Sequence, residues 1–466
     1  MPRRTLPLGS ADLPEATRLR KLIGPSFIIL GLGLGSGEVV LWPYMVSLYG
    51  LGIVWGMVVG ITMQFFINME VERYALINGE SVFVGFARLL RWLPLWFIAS
   101  TFFGFGWPGI GLYGATLLSE ALRIGHPDLV GAVLFLLIGC VLSVGKVLYK
   151  TVETLQKYLI GIGVPFIVAL AFTLASRADV LALARGLIGR GVFHGQPYLF
   201  LPDGILIATF LGALAYAGAG GNLNLTQSCY IRDKGYGMGK YASRITSLFH
   251  TGGTQKFALT GSTFPVTAPN VRRFHRWWRA VNVEHALIFW ALGAFTMLTL
   301  SLLASVTVFG IPGEEGIAFV ITEAVMIGQR TLPAVGFLFL IVTGIMLAAT
   351  QLTVLDSTSR IITENLLLFL RKEDIRVSRV YYVVLWVQIL FGIAVFLAGF
   401  DQPLTLIVLG AVINAFSMFV YCGIILWLNN TRLAKALRPA LWRNGVMLAT
   451  LLFLGYFCTK TLMDKL

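Results

Sequence analysis

The chain has 466 residues, of which 57% are hydrophobic and 12% are charged, and its mean hydropathy is +0.81. Soluble domains carry roughly 25% charged residues, so this composition excludes a soluble globular protein and indicates surface that faces lipid. The formal net charge of +14 does not indicate a nucleic-acid partner. The basic residues lie in short runs between apolar segments, as the positive-inside bias of membrane proteins produces.

Eleven apolar stretches approach the roughly 20 residues that a helix needs to cross a bilayer. They lie at 24–48, 52–76, 94–122, 129–149, 154–176, 202–229, 285–309, 331–357, 379–399, 403–428 and 442–462. We therefore predict an all-α integral membrane protein with about 11 transmembrane helices. The first stretch lacks a signal-peptide cleavage site. Loops rich in Lys and Arg alternate with poorer ones, which predicts a bacterial inner-membrane protein with a cytoplasmic N-terminus and an external C-terminus.

The first predicted span contains the run from Gly31 to Glu38, in which four glycines and one carboxylate interrupt an apolar stretch. Glycine lowers helix stability and lets the backbone unwind, which leaves amides and carbonyls without helical partners. Such backbone is tolerated at membrane depth only where it lines a cavity or is buried in protein. The pattern predicts a discontinuous helix at Gly35, Ser36 and Gly37.

The sixth predicted span contains a second glycine-rich run, from Tyr216 to Asn224. It lies five spans after the first, the spacing expected of two inverted five-helix repeats that each begin with a discontinuous helix. Close helix crossing through small residues is the alternative explanation of such glycines. Because the two runs occupy equivalent positions and one carries Glu38, we interpret them as the substrate site.

This organisation predicts a cytoplasmic segment at 1–22, a first repeat at 23–176, a second repeat at 202–428, and an eleventh helix at 442–462. Inside the second repeat, residues 230–284 are basic and aromatic and contain no adequate apolar run. We expect them to form a loop at the cytoplasmic interface, where Arg and Trp side chains anchor to lipid headgroups.

Glu38 is the one carboxylate within either glycine-rich run. A charged side chain at mid-span costs about 2.5–3.5 kcal/mol on insertion scales, so its presence indicates a functional site. The ionised form can bind a cation, and the protonated form can carry a coupling proton. The structural alternative is a cap on the amino terminus of a half-helix.

The sixth span supplies oxygen ligands without sulfur. The predicted substrate-binding residues are Gly35, Ser36, Gly37, Glu38, Gly218, Ala219, Gly220, Gly221, Asn222, Asn224, Gln227 and Gln351. Hard divalent cations prefer oxygen ligands of this kind, so Glu38 and Asn222 are the predicted metal ligands. The glycine amides can instead bind a carboxylate. That alternative is a small organic solute, such as an amino or carboxylic acid, in a site whose aromatic lining is drawn from Trp42, Tyr44, Trp107, Tyr113 and Tyr216.

No enzymatic function is predicted. The five histidines are dispersed without metal-ligand spacing, and no glycine-rich phosphate loop followed by Lys and Ser or Thr is present. The four cysteines form neither a CxxC motif nor a disulfide framework. We expect no cofactor, and as partners membrane lipid, the transported ion or solute, and a coupling proton or sodium ion.

Several motifs resemble the Nramp family of divalent-metal transporters. Gly35-Ser36-Gly37-Glu38 stands where that family has Asp-Pro-Gly-Asn, in a helix that opens with Gly24-Pro25-Ser26-Phe27. The run from Gln64 to Tyr74 is similar to the family's Gln-rich, Arg-terminated second helix. The segments 149–155, 219–228, 282–284 and 351–364 resemble later family motifs in the same order.

The resemblance implies a LeuT-type fold with two inverted repeats, and import of a divalent metal such as manganese, iron or magnesium, usually coupled to protons. It places the family's metal-binding Asp and Asn on Gly35 and Glu38. It places the family's Met and His on Ala219 and Gly221, with Asn222 retained. The leading prediction is a divalent-cation transporter with a modified site, the second an organic-solute transporter, and the third a membrane sensor that has lost transport.

Overall fold

A computed structural model of the chain describes residues 8–17, 22, 24–144, 148–242, 259–311, 316–370, 377–399 and 403–463. Within these ranges, ten helices are long and apolar enough to cross a membrane, judged by length and composition alone. They are Pro25–Tyr49, Leu51–Asn78, Leu93–Leu122, Pro127–Val144, Leu148–Leu174, Ala268–Thr307, Pro333–Leu370, Val377–Leu397, Leu404–Arg432 and Leu441–Met463. We call them spans 1 to 5 and spans 7 to 11, in chain order.

Span 6 is broken into two short helices. The first is Ile207–Ala215, and a 3-10 helix at Gly221–Thr226 leads into the second, Gln227–Lys234. Neither half can cross a bilayer by itself, which is why eleven predicted spans correspond to ten continuous helices. At the break, Gly218, Gly220 and Gly221 have φ angles of 145°, 76° and 45°, conformations that glycine adopts readily because it has no Cβ.

Span 1 is helical throughout, whereas a discontinuous helix is predicted at Gly35, Ser36 and Gly37. The α-helix Pro25–Gly35 passes into a π-helical stretch, Ser36–Leu41, and then into the α-helix Trp42–Tyr49. A π-helical stretch widens the turn but keeps the chain helical. The glycines therefore loosen the helix at the predicted position without unwinding it.

The predicted loop at 230–284 also needs correction. Span 7 already begins at Ala268, because this basic stretch contains apolar residues at helical spacing. Phe274, Trp277 and Val281 are buried, whereas Arg272 and Arg276 on the other face are exposed. This is the pattern of an amphipathic helix. Residues 243–258 of the predicted loop lie outside the described part of the chain.

The remaining elements are short. The helices are Val82–Leu89, Arg177–Gly186 and Ala318–Arg330, with 3-10 turns at Leu51–Ile53, Gly237–Tyr241 and Lys435–Leu437. Strand Gly9–Ser10 pairs in parallel with Ser262–Thr263, and Arg190–Phe193 forms an antiparallel hairpin with Gln196–Leu199. The hairpin and the helix before it separate spans 1–5 from span 6.

Burial shows which spans form the centre of the bundle. In the most apolar window of span 1, 94% of the residues are buried, against 33% in spans 4, 5 and 11. Span 8 packs against both span 1 and span 3. Span 1 is therefore enclosed by protein, and spans 4, 5 and 11 present apolar side chains outward, as lipid contact requires.

The helix Ala318–Arg330 closes one end of this centre. Phe319 packs on Tyr44 of span 1 with ring centroids 5.6 Å apart, and Tyr113 of span 3 donates a hydrogen bond to the Gly316 carbonyl at 2.8 Å. Glu323 is buried and accepts a 3.4 Å hydrogen bond from the Thr307 hydroxyl. Burial raises the pKa of Glu323 to about 8, although the Thr307 hydrogen bond lowers it somewhat.

Because the pKa of Glu323 is raised in the folded state, we expect the free energy of unfolding to fall as the pH rises. The folded state keeps the Glu323 proton up to about pH 8, whereas the unfolded chain releases it near pH 4.3. The stabilisation is therefore complete below the unfolded pKa and is lost as the pH rises through the folded one. Glu323→Gln should flatten the decline of Tm between about pH 5 and pH 9 in detergent. The exposed Glu120→Gln is the control, and matching slopes for all three proteins would contradict a neutral, buried Glu323.

Candidate substrate site

The two glycine-rich runs meet backbone to backbone. A Cβ on Gly33 would lie 2.9 Å from the carbonyl carbon of Gly218, and a Cβ on Gly37 would overlap the carbonyl oxygen of Tyr216. Only glycine permits such an approach. Span 1 and the break of span 6 are therefore in direct contact at the predicted place.

The other glycines of span 1 face spans 5 and 8, and a Cβ on Gly31 would overlap the side chain of Gln156 in span 5. A Cβ on Gly35 would lie 2.5 Å from the side chain of Thr350, whose hydroxyl donates a 2.9 Å hydrogen bond to the Gly31 carbonyl. Glycines at every second position thus let span 1 pack closely on spans 5, 6 and 8. The side chain of Ser36 lies outside the described part of the structure.

A glutamine of span 2 completes the hydrogen bonding of the break. The Gln64 Nε2 donates to the Ala215 carbonyl at 3.0 Å, and its Oε1 accepts from the Gly220 amide at 2.9 Å. This one side chain satisfies backbone groups on both sides of the interruption, which the membrane interior demands. No functional role is predicted for Gln64 from the sequence. Its signal there is a strongly polar residue within an apolar span.

Glu38 is fully buried among apolar groups. Neither carboxylate oxygen has a hydrogen-bond partner among the described residues. A Cβ on Gly293 of span 7 would lie 3.6 Å from Oε1 and would also touch Ile61 and Leu30. Glu38 therefore faces spans 2 and 7, in surroundings where an unpartnered carboxylate is costly.

Asn222, the second predicted metal ligand, faces span 3 instead. Its Nδ2 donates to the hydroxyls of Ser100 at 2.7 Å and Thr101 at 2.9 Å. The structure directs Glu38 and Asn222 to different neighbours, so their joint ligation of one ion stays a prediction. Among the described residues, no group of three or more His, Cys, Asp or Glu is placed to hold a metal.

The residues that follow the break pack against span 10. Gly221 lies against the side chain of Asn414, and its carbonyl accepts a 2.8 Å hydrogen bond from the Tyr421 hydroxyl. That hydroxyl accepts in turn from Asn224 at 3.1 Å. Ala219 is buried. Gly221 and Asn224 therefore form one continuous polar patch with Asn414 and Tyr421 of span 10.

Gln227 and Gln351 form hydrogen bonds with spans 2 and 3. Gln227 donates to Glu72 of span 2 at 3.2 Å, and Gln351 of span 8 accepts from the Gly111 amide at 3.0 Å. Gln351 also lines a cavity with Trp107 and Tyr216, which has room for roughly one water molecule. Two of the five predicted aromatic residues, Trp107 and Tyr216, thus lie beside a predicted polar one.

Buried ion pairs hold the second half of span 6 against span 8. Arg232 pairs with Asp233 at 3.0 Å and with Glu364 at 2.5 Å. Arg360 pairs with Asp356 at 3.0 Å and also with Asp233. All five side chains are at most 3% exposed, so breaking one pair would leave an uncompensated buried charge. The cluster fixes one side of the break.

No protein-family model matches the sequence, and no curated protein matches it. Solved structures match over nearly the whole chain. A crystal structure of the Eremococcus coleocola manganese transporter, in a mutant form, has a TM-score of 0.70 at 12% identity and covers 97% of this chain and 88% of that one. The fold is similar to that of an Nramp-type transporter.

A second structure extends this likeness to the wider LeuT fold. MhsT in complex with L-phenylalanine matches with a TM-score of 0.54 at 15% identity, covering 98% of this chain and 100% of that chain. Both neighbours have the LeuT fold, so the predicted fold class and the resemblance to Nramp-type transporters are confirmed. Both matches show the fold, and the ten long apolar helices support an integral membrane protein.

The contact between spans 1 and 6 predicts a sharp difference between two glycines. Gly37→Ala should lower the free energy of unfolding by about 3 kcal/mol or more, because its Cβ would overlap a backbone carbonyl that cannot rotate away. Gly161→Ala, on the exposed side of span 5 with nothing within 4 Å of its Cβ, should be neutral or stabilise by up to ~1 kcal/mol. Thermal unfolding in detergent measures both, and equal Tm values would contradict the contact.

Proposed function

We propose that this chain is a secondary transporter in which a hard cation binds Glu38 where spans 1 and 6 meet. The observation that carries the proposal is a fully buried carboxylate at mid-span, with both oxygens unpartnered among the described residues. Such a group is expensive in a membrane and by default marks an ion or proton pathway. Glu38 directly follows Gly37, which touches the broken helix.

The capping alternative loses its support. A carboxylate that caps a helix accepts hydrogen bonds from backbone amides of the first turn. Glu38 accepts none among the described residues, and span 1 is helical on both sides of it. Cation binding and proton carriage are the remaining roles of this side chain.

The carboxylate of Glu38 itself favours a hard divalent cation over a soft metal. The Tyr216 carbonyl lies against Gly37, one residue before Glu38. Carboxylate and carbonyl oxygens suit Mg²⁺, Ca²⁺ and Mn²⁺, whereas soft metals prefer Cys and Met. One structural neighbour is a manganese transporter by name, which adds support. We place the protein in a bacterial inner membrane. The distribution of Lys and Arg among the loops supports an N-terminus in the cytoplasm.

A second candidate function rests on the residues Trp107, Tyr216 and Gln351, whose shared cavity holds about one water molecule and would have to open to admit a solute. Aromatic faces with one amide are a frequent setting for a small organic solute. One neighbour was crystallised with L-phenylalanine. In this second function the cargo is an amino or carboxylic acid, and Glu38 carries a proton or faces the amine.

Uptake into proteoliposomes tests the proposal. The purified protein should accumulate Mn²⁺ or Mg²⁺, and Glu38→Gln should lower the initial rate at least about tenfold, because the amide removes the negative charge that offsets ion dehydration. Glu120→Gln, the same change at an exposed position, should transport normally.

Two outcomes would count against the divalent-cation function. Undiminished uptake by a well-folded Glu38→Gln protein would reject Glu38 as the ligand. Uptake of a carboxylate-bearing solute, with no divalent uptake by the unmodified protein, would establish the second candidate. If neither a divalent cation nor a carboxylate-bearing solute is transported, the remaining hypothesis is a membrane sensor that has lost transport.

A further inference from the structure

Three asparagines surround Gly221 at the break of span 6. Asn222 follows it in the chain, and Asn414 of span 10 packs against it. Asn224 is linked to it through Tyr421, whose hydroxyl accepts from Asn224 and donates to the Gly221 carbonyl. All three asparagine side chains are 0% exposed. They form a compact amide cluster between spans 3, 6 and 10.

Their hydrogen bonds fix which way each amide points. The Asn414 Nδ2 donates to the Gly104 carbonyl at 2.9 Å, and a carbonyl can only accept. The Tyr421 proton is already committed to Gly221, so that hydroxyl accepts from Asn224.

The third amide is oriented in the same way. The Ser100 hydroxyl donates to the Trp96 carbonyl at 2.7 Å, so it accepts from the Asn222 Nδ2. Each nitrogen of the cluster therefore faces a protein acceptor, and each Oδ1, at the other end of its planar amide, points away from that acceptor.

All three Oδ1 atoms lack a hydrogen-bond partner among the described residues. A buried acceptor without a partner costs about 1–3 kcal/mol, so three around one glycine are a substantial penalty. A bound cation would satisfy all three. The geometry points to a second cation site at Asn222, Asn224 and Asn414, for a monovalent ion such as Na⁺ or K⁺.

The charge of the ligands selects a monovalent ion. All three are neutral amide oxygens, comparable to the carbonyl oxygens that replace the hydration shell of K⁺ in channels. The hydration energy of an ion grows with the square of its charge, and divalent sites usually offset it with carboxylates. Glu38 faces spans 2 and 7, so the amide cluster is a separate site. Its occupancy does not depend on the function proposed for Glu38.

Equilibrium binding of ²²Na⁺ to the purified full chain, with choline as the background cation, measures this site. The unmodified protein should bind about one ion saturably, with K⁺ competing. Asn222→Leu and Asn414→Leu should each weaken binding about tenfold or more, because each removes one ligand oxygen.

Asn365→Leu is the matched control. Asn365 of span 8 is equally buried, its Nδ2 donates to the Ile361 carbonyl at 2.8 Å, and its Oδ1 also lacks a partner among the described residues. It lies outside the cluster, so its replacement should leave ²²Na⁺ binding unchanged.

Asn222→Asp keeps the fold testable if the leucine variants are unstable. Its carboxylate can accept from Ser100 and Thr101, and its charge should let Ca²⁺ displace ²²Na⁺ at a concentration at least about tenfold lower. Absence of saturable monovalent binding to the unmodified protein would overturn the site. So would cluster variants that bind like Asn365→Leu, or unchanged Ca²⁺ competition in Asn222→Asp. These results come from equilibrium binding to the purified protein. They are therefore distinct from a failure of divalent-cation uptake through Glu38, which is measured in proteoliposomes.

Discussion

The backbone contact between span 1 and the break of span 6 is the constraint on which the rest of the structure depends. A broken helix in a membrane exposes amides and carbonyls that no water satisfies. Here Gly33 and Gly37 bring one backbone onto the other, and Gln64 joins the two sides of the break. The ion pairs of Arg232 and Arg360 then hold the far half of span 6 on span 8. Irregular backbone is kept at mid-membrane because protein encloses it.

Two kinds of buried oxygen lie on either side of this contact. On one side is a carboxylate among apolar groups, and on the other are neutral amides with fixed orientations. Tyr216 connects the two sides: its carbonyl faces Gly37, and its hydroxyl accepts a 3.0 Å hydrogen bond from Asn414. A movement of the break would therefore change both environments together.

The sequence predicts this architecture well where a local pattern decides the outcome. The length of the apolar stretches identifies the spans. The break in span 6 falls where glycines adopt positive φ angles that other residues rarely adopt. The form of span 1 depends on its neighbours, because its glycines serve close packing on spans 6 and 8, and composition does not distinguish that use from unwinding. The start of span 7 is predicted too late, since Phe274, Trp277 and Val281 are spread among arginines that lower the average hydropathy.

The site is predicted less completely than the fold. The glycines and Glu38 lie at the contact, as their motif indicates. Gln64 and Asn414 are not among the predicted site residues, although Gln64 begins a run that resembles an Nramp motif. Which partner a buried amide finds depends on tertiary packing, and the same dependence sends Asn222 to span 3 rather than to Glu38. The anomalous signal of Mn²⁺, in a crystal structure determined with the ion, tests the central claim most directly. The account predicts a peak within ligand distance, about 2.0–2.6 Å, of a Glu38 carboxylate oxygen. An ordered structure in saturating Mn²⁺, with a peak elsewhere or none, would contradict it.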